Sequence, residues 1–173
     1  MILTSLPNQV VYRMHVPQFA VHPTSGEGAA IHGGRANRPG VKALYLALDA
    51  STAIAEYKQL SSLMKPGMLM NYEVTADRIV DFRQGYRSSH WDSMWEDFHC
   101  KWRELWFNQL IEPPSWIIGD AVLAAGGKGI LFQSEANPGG VNLVLYTGSL
   151  GTADSIEVFD PDNHLPKNQD SWN

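Results

Sequence analysis

The chain has 173 residues and a formal net charge of −5, with acidic and basic residues mixed along its length. These values indicate one domain that can bury a core without disulfides or metals, and they disfavour a broad nucleic-acid contact surface. The single cysteine, Cys100, cannot form an internal disulfide; with neither a signal-like start nor a run of roughly 20 apolar residues, we expect a cytoplasmic protein without a membrane span.

The first predicted strand and the loop after it each carry an arginine. Residues 9–16 alternate between apolar and more polar side chains, which predicts a strand with Arg13 on its more polar face. The segment 22–40 is rich in Gly and Pro and is longer than most connections, and Arg35 follows two glycines within it. Loops of this length are often functional, and a guanidinium held in one suits a phosphate.

A second strand and a helix follow directly. Residues 41–48 alternate again, which predicts a strand with Tyr45 on the face opposite its leucines. Helical spacing of apolar residues over 51–64, preceded by a capping residue at Asp49 or Ser51, predicts a helix there.

Glu56 is the most unusual residue of this predicted helix. The helical wheel places its carboxylate on the apolar stripe, between Leu60 and Leu63. Burying an ionised carboxylate without a partner costs several kcal/mol, so Glu56 needs a cationic neighbour or a functional reason. A structural salt bridge at the edge of the stripe is the alternative.

The remaining elements mix strands and helices without a regular βαβ alternation. Strands are predicted at residues 68–74, 78–82, 129–132, 141–146 and 156–159, and helices at 91–111 and 115–125, with the strands at 129–132 and 141–146 paired. The aromatic face of the helix at 91–111 is typical of a core, or of a surface that a partner covers. We expect one α+β (mixed α/β) domain over residues 1–160 and a mobile polar tail over 161–173.

Several common catalytic motifs are missing from the sequence. No serine lies in a G-x-S-x-G elbow, and the histidines and the one cysteine do not have the spacing of a zinc site, so we expect no metal. Neither a Walker loop nor a G-x-G-x-x-G fingerprint is present. If a nicotinamide dinucleotide binds, it does so outside a Rossmann fold.

An ordered set of motifs carries a resemblance to a known family. The motifs are Tyr-Arg at 12–13, GGRANRPG at 33–40, LYLALD at 44–49, AEY at 55–57 and GILFQS at 129–134. In this order they resemble the RES family, whose name refers to an arginine, a glutamate and a serine. The likeness spans residues 12–146; Ala36 replaces the usual tryptophan, and Glu135 stands where a basic residue is common.

The resemblance implies a fold, a site and a function. The family has an ADP-ribosyltransferase-like β core and contains toxins of bacterial toxin-antitoxin pairs. Carried over by position, Glu56, Arg35, Tyr45 and Ser134 are the expected catalytic residues, and Arg13, Arg35, Tyr45 and Ser134 the expected NAD+-binding residues. The expected substrate is NAD+, and the expected partner is a DNA-binding antitoxin of the Xre type.

The activity that the resemblance implies is cleavage of the nicotinamide-ribose bond of NAD+, by a glycohydrolase or a phosphorylase reaction. Such cleavage passes through an oxocarbenium-like ribose, which a carboxylate such as Glu56 stabilises, while arginine forks match pyrophosphate oxygens. Tyr45 is suited to stacking on a base, and Ser134 to orienting the nicotinamide amide or the ribose. Three alternatives stay open: an ADP-ribosyltransferase that modifies a protein, a secreted effector, and a catalytically inactive binding module.

Overall fold

The structure is a computed structural model that describes residues 1–59 and 61–170. This part of the chain forms six strands, β1 (Leu3–His15), β2 (Leu44–Ala47), β3 (Met68–Phe82), β4 (Gly129–Gln133), β5 (Val141–Leu145) and β6 (Ser155–Val158). Its α-helices are α1 (Glu27–His32), α2 (Ala50–Lys58) and α3 (Pro114–Ala124). Short 3₁₀ helices lie at Pro17–Phe19, Ser93–His99 and Thr147–Ser149, and a π-helix at Glu104–Asn108.

The strand pairings form a closed circuit. The order is β1-β2-β5-β4-β3, and β3 pairs back onto β1, while β6 joins the other edge of β3. All these pairings are antiparallel except β3 with β4, which is parallel. The expected pairing of the strands at 129–132 and 141–146 is confirmed, with Leu131 opposite Leu143. A closed circuit removes open sheet edges and fixes the ends of β2 and β4 that carry the site.

The long strand β3 replaces the two strands that we predicted at 68–74 and 78–82. Its register with β1 shifts twice, once between Thr4 and Leu6 and once between Leu6 and Gln9. Arg78 has a φ of 55°, and its side chain donates to the carbonyl of Gly126 at 2.7 Å. Such bulges interrupt the apolar alternation without ending the strand, which is why the sequence pattern suggested a break.

Two apolar cores lie on opposite faces of the sheet. In β5, Leu143 and Leu145 belong to the first core, and Val144 between them belongs to the second. The second core contains Phe82 surrounded by aromatic rings from the segment 91–98, with ring centroids 4.8 to 5.2 Å apart. Each fully buried large side chain contributes about 1.5–3 kcal/mol, so these rings hold that segment against the sheet.

Two predicted helices were too long. The helix predicted at 51–64 ends at Lys58 because Gln59 has φ 50° and ψ −131°, which no helix residue adopts. Leu63 is 78% exposed, so the apolar stripe that we predicted beside Glu56 is wrong in this part; Leu60 lies outside the described residues.

The single helix predicted at 91–111 is also wrong. The chain leaves the 3₁₀ helix Ser93–His99 at Cys100, where ψ is 158°, and becomes helical again at Trp102, immediately before the π-helix Glu104–Asn108. The core role of its aromatics is confirmed, since Trp91, Trp95 and Phe98 are all buried. The extended break between the two short helices brings residues 99–104 to the site described below.

The remaining differences concern the loop before β2 and the chain end. The loop contains the helix α1, which its Gly and Pro content had concealed. In the predicted tail, Asp160 accepts hydrogen bonds from the backbone of His164 and Leu165, and Leu165 packs on the first core. That tail therefore begins attached to the domain; residues 171–173 lie outside the described part. No helix among residues 1–59 and 61–170 has the length and apolar character to cross a membrane.

Candidate active site

A cleft of about 920 Å³ brings together the residues that the sequence pointed to. Arg13, Arg35, Tyr45 and Glu56 all line it, although they come from β1, the loop before β2, β2 and α2. Ser134 is only 7% exposed and hydrogen-bonds to Glu56 beside the cleft. This volume lies within the range typical of small-molecule sites.

The loop that presents Arg35 is held rigidly from both sides. The indole of Trp116 on α3 donates to the carbonyl of Gly34 at 2.7 Å, and the hydroxyl of Tyr146 donates to the carbonyl of Ala36 at 2.8 Å. A Cβ on Gly34 would overlap the hydroxyl of Tyr45, so only glycine fits there.

Asn37 completes this loop. Its amide nitrogen donates to the carbonyls of Ala29, Arg38 and Val41, at 2.9, 3.1 and 3.1 Å. Its amide oxygen accepts from Tyr45 at 2.8 Å. Because every polar atom of this buried side chain has a partner, the loop keeps one conformation.

The guanidinium of Arg35 connects three segments. Nη1 donates to the carbonyls of Phe98 and Cys100 at 3.2 and 3.1 Å, and Nη2 forms an ion pair with Glu135. The side chain of Arg35 is 15% exposed. His99 also lines the cleft, and its pKa is lowered by burial and then by the charge of Arg35. Arg35 thus fixes the cleft wall at the break after His99.

Tyr45 is oriented by its hydroxyl, which donates to Asn37 and accepts from the backbone N–H of Ala36 at 2.9 Å. Burial raises the pKa of Tyr45 well above its ordinary value, so the phenol stays protonated. Tyr45 packs with the second core while Leu44 and Leu46 enter the first, which confirms that it faces away from the leucines of β2. Its ring forms part of the cleft wall.

Glu56 sits on a well-anchored helix. Asp49 is the N-cap of α2, and its carboxylate accepts from the backbone N–H of Thr52 at 2.8 Å and from the Thr52 hydroxyl at 2.7 Å. This confirms the first of the two capping residues that we considered. Such a cap contributes about 1 kcal/mol. It fixes the start of α2, and Glu56 reaches the cleft nearly two turns later.

The carboxylate of Glu56 is held by two neutral donors. Its Oε1 accepts from the Ser134 hydroxyl at 2.7 Å and from the Asn142 amide at 2.5 Å. In the described part of the chain Oε2 has no protein donor, and no Lys, Arg or His forms an ion pair with this carboxylate. The partner of the semi-buried charge is therefore a pair of hydrogen-bond donors, not the cationic neighbour that the sequence analysis considered.

The hydroxyl of Ser134 contacts other protein groups and is not free to contact a substrate. Its hydroxyl donates to Glu56 and accepts from the backbone N–H groups of Ala136 and Asn137, at 3.2 and 3.0 Å. One hydroxyl offers one donor and two acceptor positions, so all three are used within the protein. Ser134 caps its turn and, through the same hydroxyl, positions Glu56.

Arg13 brings a second guanidinium to the cleft. Its Nη1 is buried and has no hydrogen-bond partner within residues 1–59 and 61–170. Burial lowers the pKa of Arg13, while nearby Tyr72 raises it. An unsatisfied buried donor costs about 1–3 kcal/mol, which an anion entering the cleft would recover.

Three further cleft residues were missed from the sequence: Asn142, Glu135 as a partner of Arg35, and Arg103. Asn142 is 7% exposed within the apolar strand β5. A polar amide among the apolar residues of a strand could have indicated a functional position in the sequence, and we did not use it. The sequence pattern did not indicate a role for Arg103, because the residue reaches the cleft only through the break in the helix after His99.

Comparison with known proteins identifies the family and the fold of the chain. Residues 10–168 match the RES domain family, which is nearly the whole chain. The chain belongs to the RES domain family. No curated protein matches the sequence of this RES domain. Its fold is similar to a chain in the crystal structure of the M. tuberculosis MbcT-MbcA toxin-antitoxin complex, with a TM-score of 0.62, 20% identity, and coverage of 92% of this chain and 84% of that chain.

The expected fold class is confirmed by this match. The RES domain is a mixed α/β (α+β) single domain, and it shares its fold with that chain. Chemically, its cleft contains three guanidinium groups, those of Arg13, Arg35 and Arg103. It also contains the carboxylate of Glu56, held by neutral donors, and that of Glu135, which is paired with Arg35. Such a site suits a ligand that is anionic at one end and develops positive charge at the other.

Proposed function

We propose that this RES domain cleaves the nicotinamide-ribose bond of NAD+. The observation that carries the proposal is the carboxylate of Glu56, fixed by Ser134 and Asn142 at the wall of a cleft with three arginines. NAD+ has the matching charge pattern: a diphosphate in its centre and a cationic nicotinamide-ribose unit at one end.

In the proposed reaction the bond between the nicotinamide nitrogen and ribose C1′ breaks, and its electron pair leaves with neutral nicotinamide. The ribose then carries oxocarbenium-like positive charge, which a fixed carboxylate stabilises more strongly than it stabilises the ground state. Oε1 of Glu56 is occupied by its two donors, so Oε2 is the oxygen for a ribose hydroxyl and the developing charge. An acceptor, water or phosphate, adds to C1′ and loses a proton to solvent.

The other residues have supporting roles in this proposal. Arg13 and Arg35 supply positive charge for the diphosphate, and the Tyr45 ring provides an apolar surface for a base. Ser134 positions Glu56 and does not touch the substrate. If Arg35 binds the diphosphate through Nη2, the carboxylate of Glu135 competes with the phosphate for that nitrogen.

We also propose that the domain acts as a toxin that a cognate Xre-type antitoxin neutralises. Membership of the RES domain family and the fold shared with a chain from a toxin-antitoxin complex support this. Expressing the domain in bacteria should stop growth and deplete NAD+, and Glu56→Gln should abolish both effects. An antitoxin would be found as the neighbouring gene product whose coexpression restores growth.

The biochemical test uses the purified domain and NAD+, with and without inorganic phosphate. Free nicotinamide should appear together with ADP-ribose or its phosphorylated form, and Glu56→Gln should slow release about 10²–10³-fold, as removal of a preorganised charge does. The matched control Glu157→Gln changes an exposed glutamate of β6 and should leave the rate unchanged.

The same reaction separates the alternatives. NAD+ that survives until a target protein is added, with label appearing on that protein, would replace the proposal with an ADP-ribosyltransferase. Wild-type protein that neither releases nicotinamide nor labels a target, while growth arrest persists in Glu56→Gln, would replace it with a binding module.

A further inference from the structure

The guanidinium of Arg35 already has protein partners for most of its donors. Two backbone carbonyls take Nη1, and the carboxylate of Glu135 takes Nη2. These contacts use three of the five guanidinium N–H groups, so a substrate phosphate at Nη2 would share that nitrogen with a carboxylate that repels it. Arg35 is placed to hold the segment 98–100 and the turn after β4 together, which is a positioning role.

Arg103 is placed differently on the same cleft. It comes from the segment between Cys100 and the π-helix, and it is exposed to solvent. Its guanidinium carbon lies 4.5 Å from the centroid of the Trp102 ring, which is itself buried. In residues 1–59 and 61–170, no carboxylate pairs with Arg103 and no carbonyl accepts from its side chain.

A guanidinium stacked on an aromatic ring keeps its edge free for an anion. Stacking uses the face of the planar group and limits its rotamers, while the N–H fork stays available for bidentate contact with phosphate oxygens. Less side-chain entropy is then lost when an anion binds. Among the arginines of the cleft, Arg103 thus combines an ordered stem with unoccupied donors.

The charges around Arg103 agree with this placement. The pKa of Arg103 is lowered by partial burial and then by the like charge of Arg35, and Glu56 raises it. Arg103 therefore lies within electrostatic reach of both residues. An anion between the two arginines would relieve their repulsion.

We propose that Arg103, stacked on Trp102, is the residue that binds the diphosphate of the dinucleotide. This rests on the proposed function for its substrate, and it assigns to Arg103 the phosphate contact that the sequence motifs gave to Arg35. Arg13, whose buried Nη1 has no partner among the described residues, provides a second cation in the same cleft.

The test measures the affinity of ADP-ribose by calorimetry, because this probe keeps the diphosphate and has no bond to cleave. Arg103→Ala should weaken ADP-ribose binding about 10- to 100-fold, the loss of one or two charge-assisted hydrogen bonds. Arg103→Lys should restore part of it as a point charge. The control Arg87→Ala removes an exposed arginine outside the cleft and should bind like the wild type.

A kinetic comparison shows whether Arg103 acts through the diphosphate. In NAD+ cleavage, Arg103→Ala should raise KM by a similar factor and change kcat less than about threefold. A merely structural role would lower the thermal midpoint and reduce kcat, and Arg103→Lys would not recover affinity.

The outcomes are separable from those of the proposed function. ADP-ribose that binds Arg103→Ala within twofold of the wild type, or fails to bind the wild type, overturns the inference even if NAD+ is cleaved. An Arg103-dependent affinity without any nicotinamide release leaves the diphosphate site in place and removes the proposed reaction.

Discussion

Substitution of Asn142 tests most sharply how the carboxylate of Glu56 is held. It is nearly buried on β5, and its amide lies 2.5 Å from the same oxygen of Glu56 that Ser134 contacts. Asn142→Asp keeps the shape of the side chain and replaces this donor with an acceptor that can carry a negative charge. The substitution thus changes the electrostatics around Glu56 with little change in packing.

The expected effect is large. Two carboxylate charges about 4 Å apart repel by about 4 kcal/mol at an effective dielectric constant of about 20. The lost hydrogen bond to a charged group adds about 1.5–3 kcal/mol. Because the pair relieves strain by sharing a proton or by moving apart, we expect the free energy of unfolding to fall by about 2–4 kcal/mol. Nicotinamide release should fall about 10²-fold or more, since Glu56 is displaced or protonated.

Urea unfolding and nicotinamide release measure the two effects on the same preparation. Asn108→Asp is the matched control, because Asn108 is exposed and makes no side-chain hydrogen bond within the described residues. If Asn142→Asp unfolds like the wild type and releases nicotinamide at more than a third of its rate, Glu56 does not depend on this amide, and the reasoning fails.

Three further predictions address the loop, the turn and the β1 strand. Gly34→Ala should reduce the free energy of unfolding in urea by about 1–3 kcal/mol, because the new methyl group overlaps the hydroxyl of Tyr45. Ser134→Ala should slow nicotinamide release about 10- to 100-fold and destabilise by about 1–3 kcal/mol, since it removes a donor to Glu56 and the acceptor of two backbone N–H groups. Burial, and then Arg13, lower the pKa of His15 from 6.5 to about 4 in the folded state. As pH falls below 6.5, the unfolded chain therefore binds a proton at His15 before the folded protein does. At most about 3 kcal/mol of the free energy of unfolding is lost between pH 6.5 and about 4. Urea unfolding of His15→Gln over the same pH range should show a smaller loss.

Each of these has its own control. Gly28→Ala, in α1 with no atom near its added methyl group, should be neutral or slightly stabilising; equal losses at both glycines would contradict the packing argument. Ser88→Ala changes an exposed serine and should not alter the rate of nicotinamide release. A His15→Gln variant with an acid sensitivity equal to that of the wild type would show that another group controls the loss.

The strands and the site residues on them were predictable because alternation reports burial directly. In β2 and β5 the leucines face the first core, and Tyr45 and Val144 pack with the second, so the apolar pattern fixes both the strand and its two faces. The position of Tyr45 followed from this pattern alone. The carboxylate of Glu56 was found by the same kind of pattern, although the apolar neighbours assumed for it were wrong in part.

The errors arise where backbone angles, not composition, decide the structure. Glutamine is not a residue type that predicts a positive φ, yet the φ of 50° at Gln59 ends α2 before Leu63. At Cys100 the chain turns extended although the aromatic spacing continues, because Trp91, Trp95 and Phe98 pack around Phe82 and not along one straight helix. Periodicity records which side chains are buried, not whether one helix presents them.

Partners across the fold were equally inaccessible to the sequence. The bonds from Ser134 and Asn142 to Glu56 span 78 and 86 residues, and the ion pair between Arg35 and Glu135 spans 100. Only the closed strand circuit determines which side chains meet at these separations. A single sequence identifies the residue types of such a site more readily than their contacts.

The rate of nicotinamide release from NAD+ by the purified domain, compared between the wild type, Glu56→Gln and Glu157→Gln, tests the central claim most directly. We expect the wild type and Glu157→Gln to release nicotinamide at the same rate, and a folded Glu56→Gln to release it about 10²–10³-fold more slowly. Equal release by all three proteins would contradict the central claim, because the carboxylate held by Ser134 and Asn142 would then have no part in the reaction.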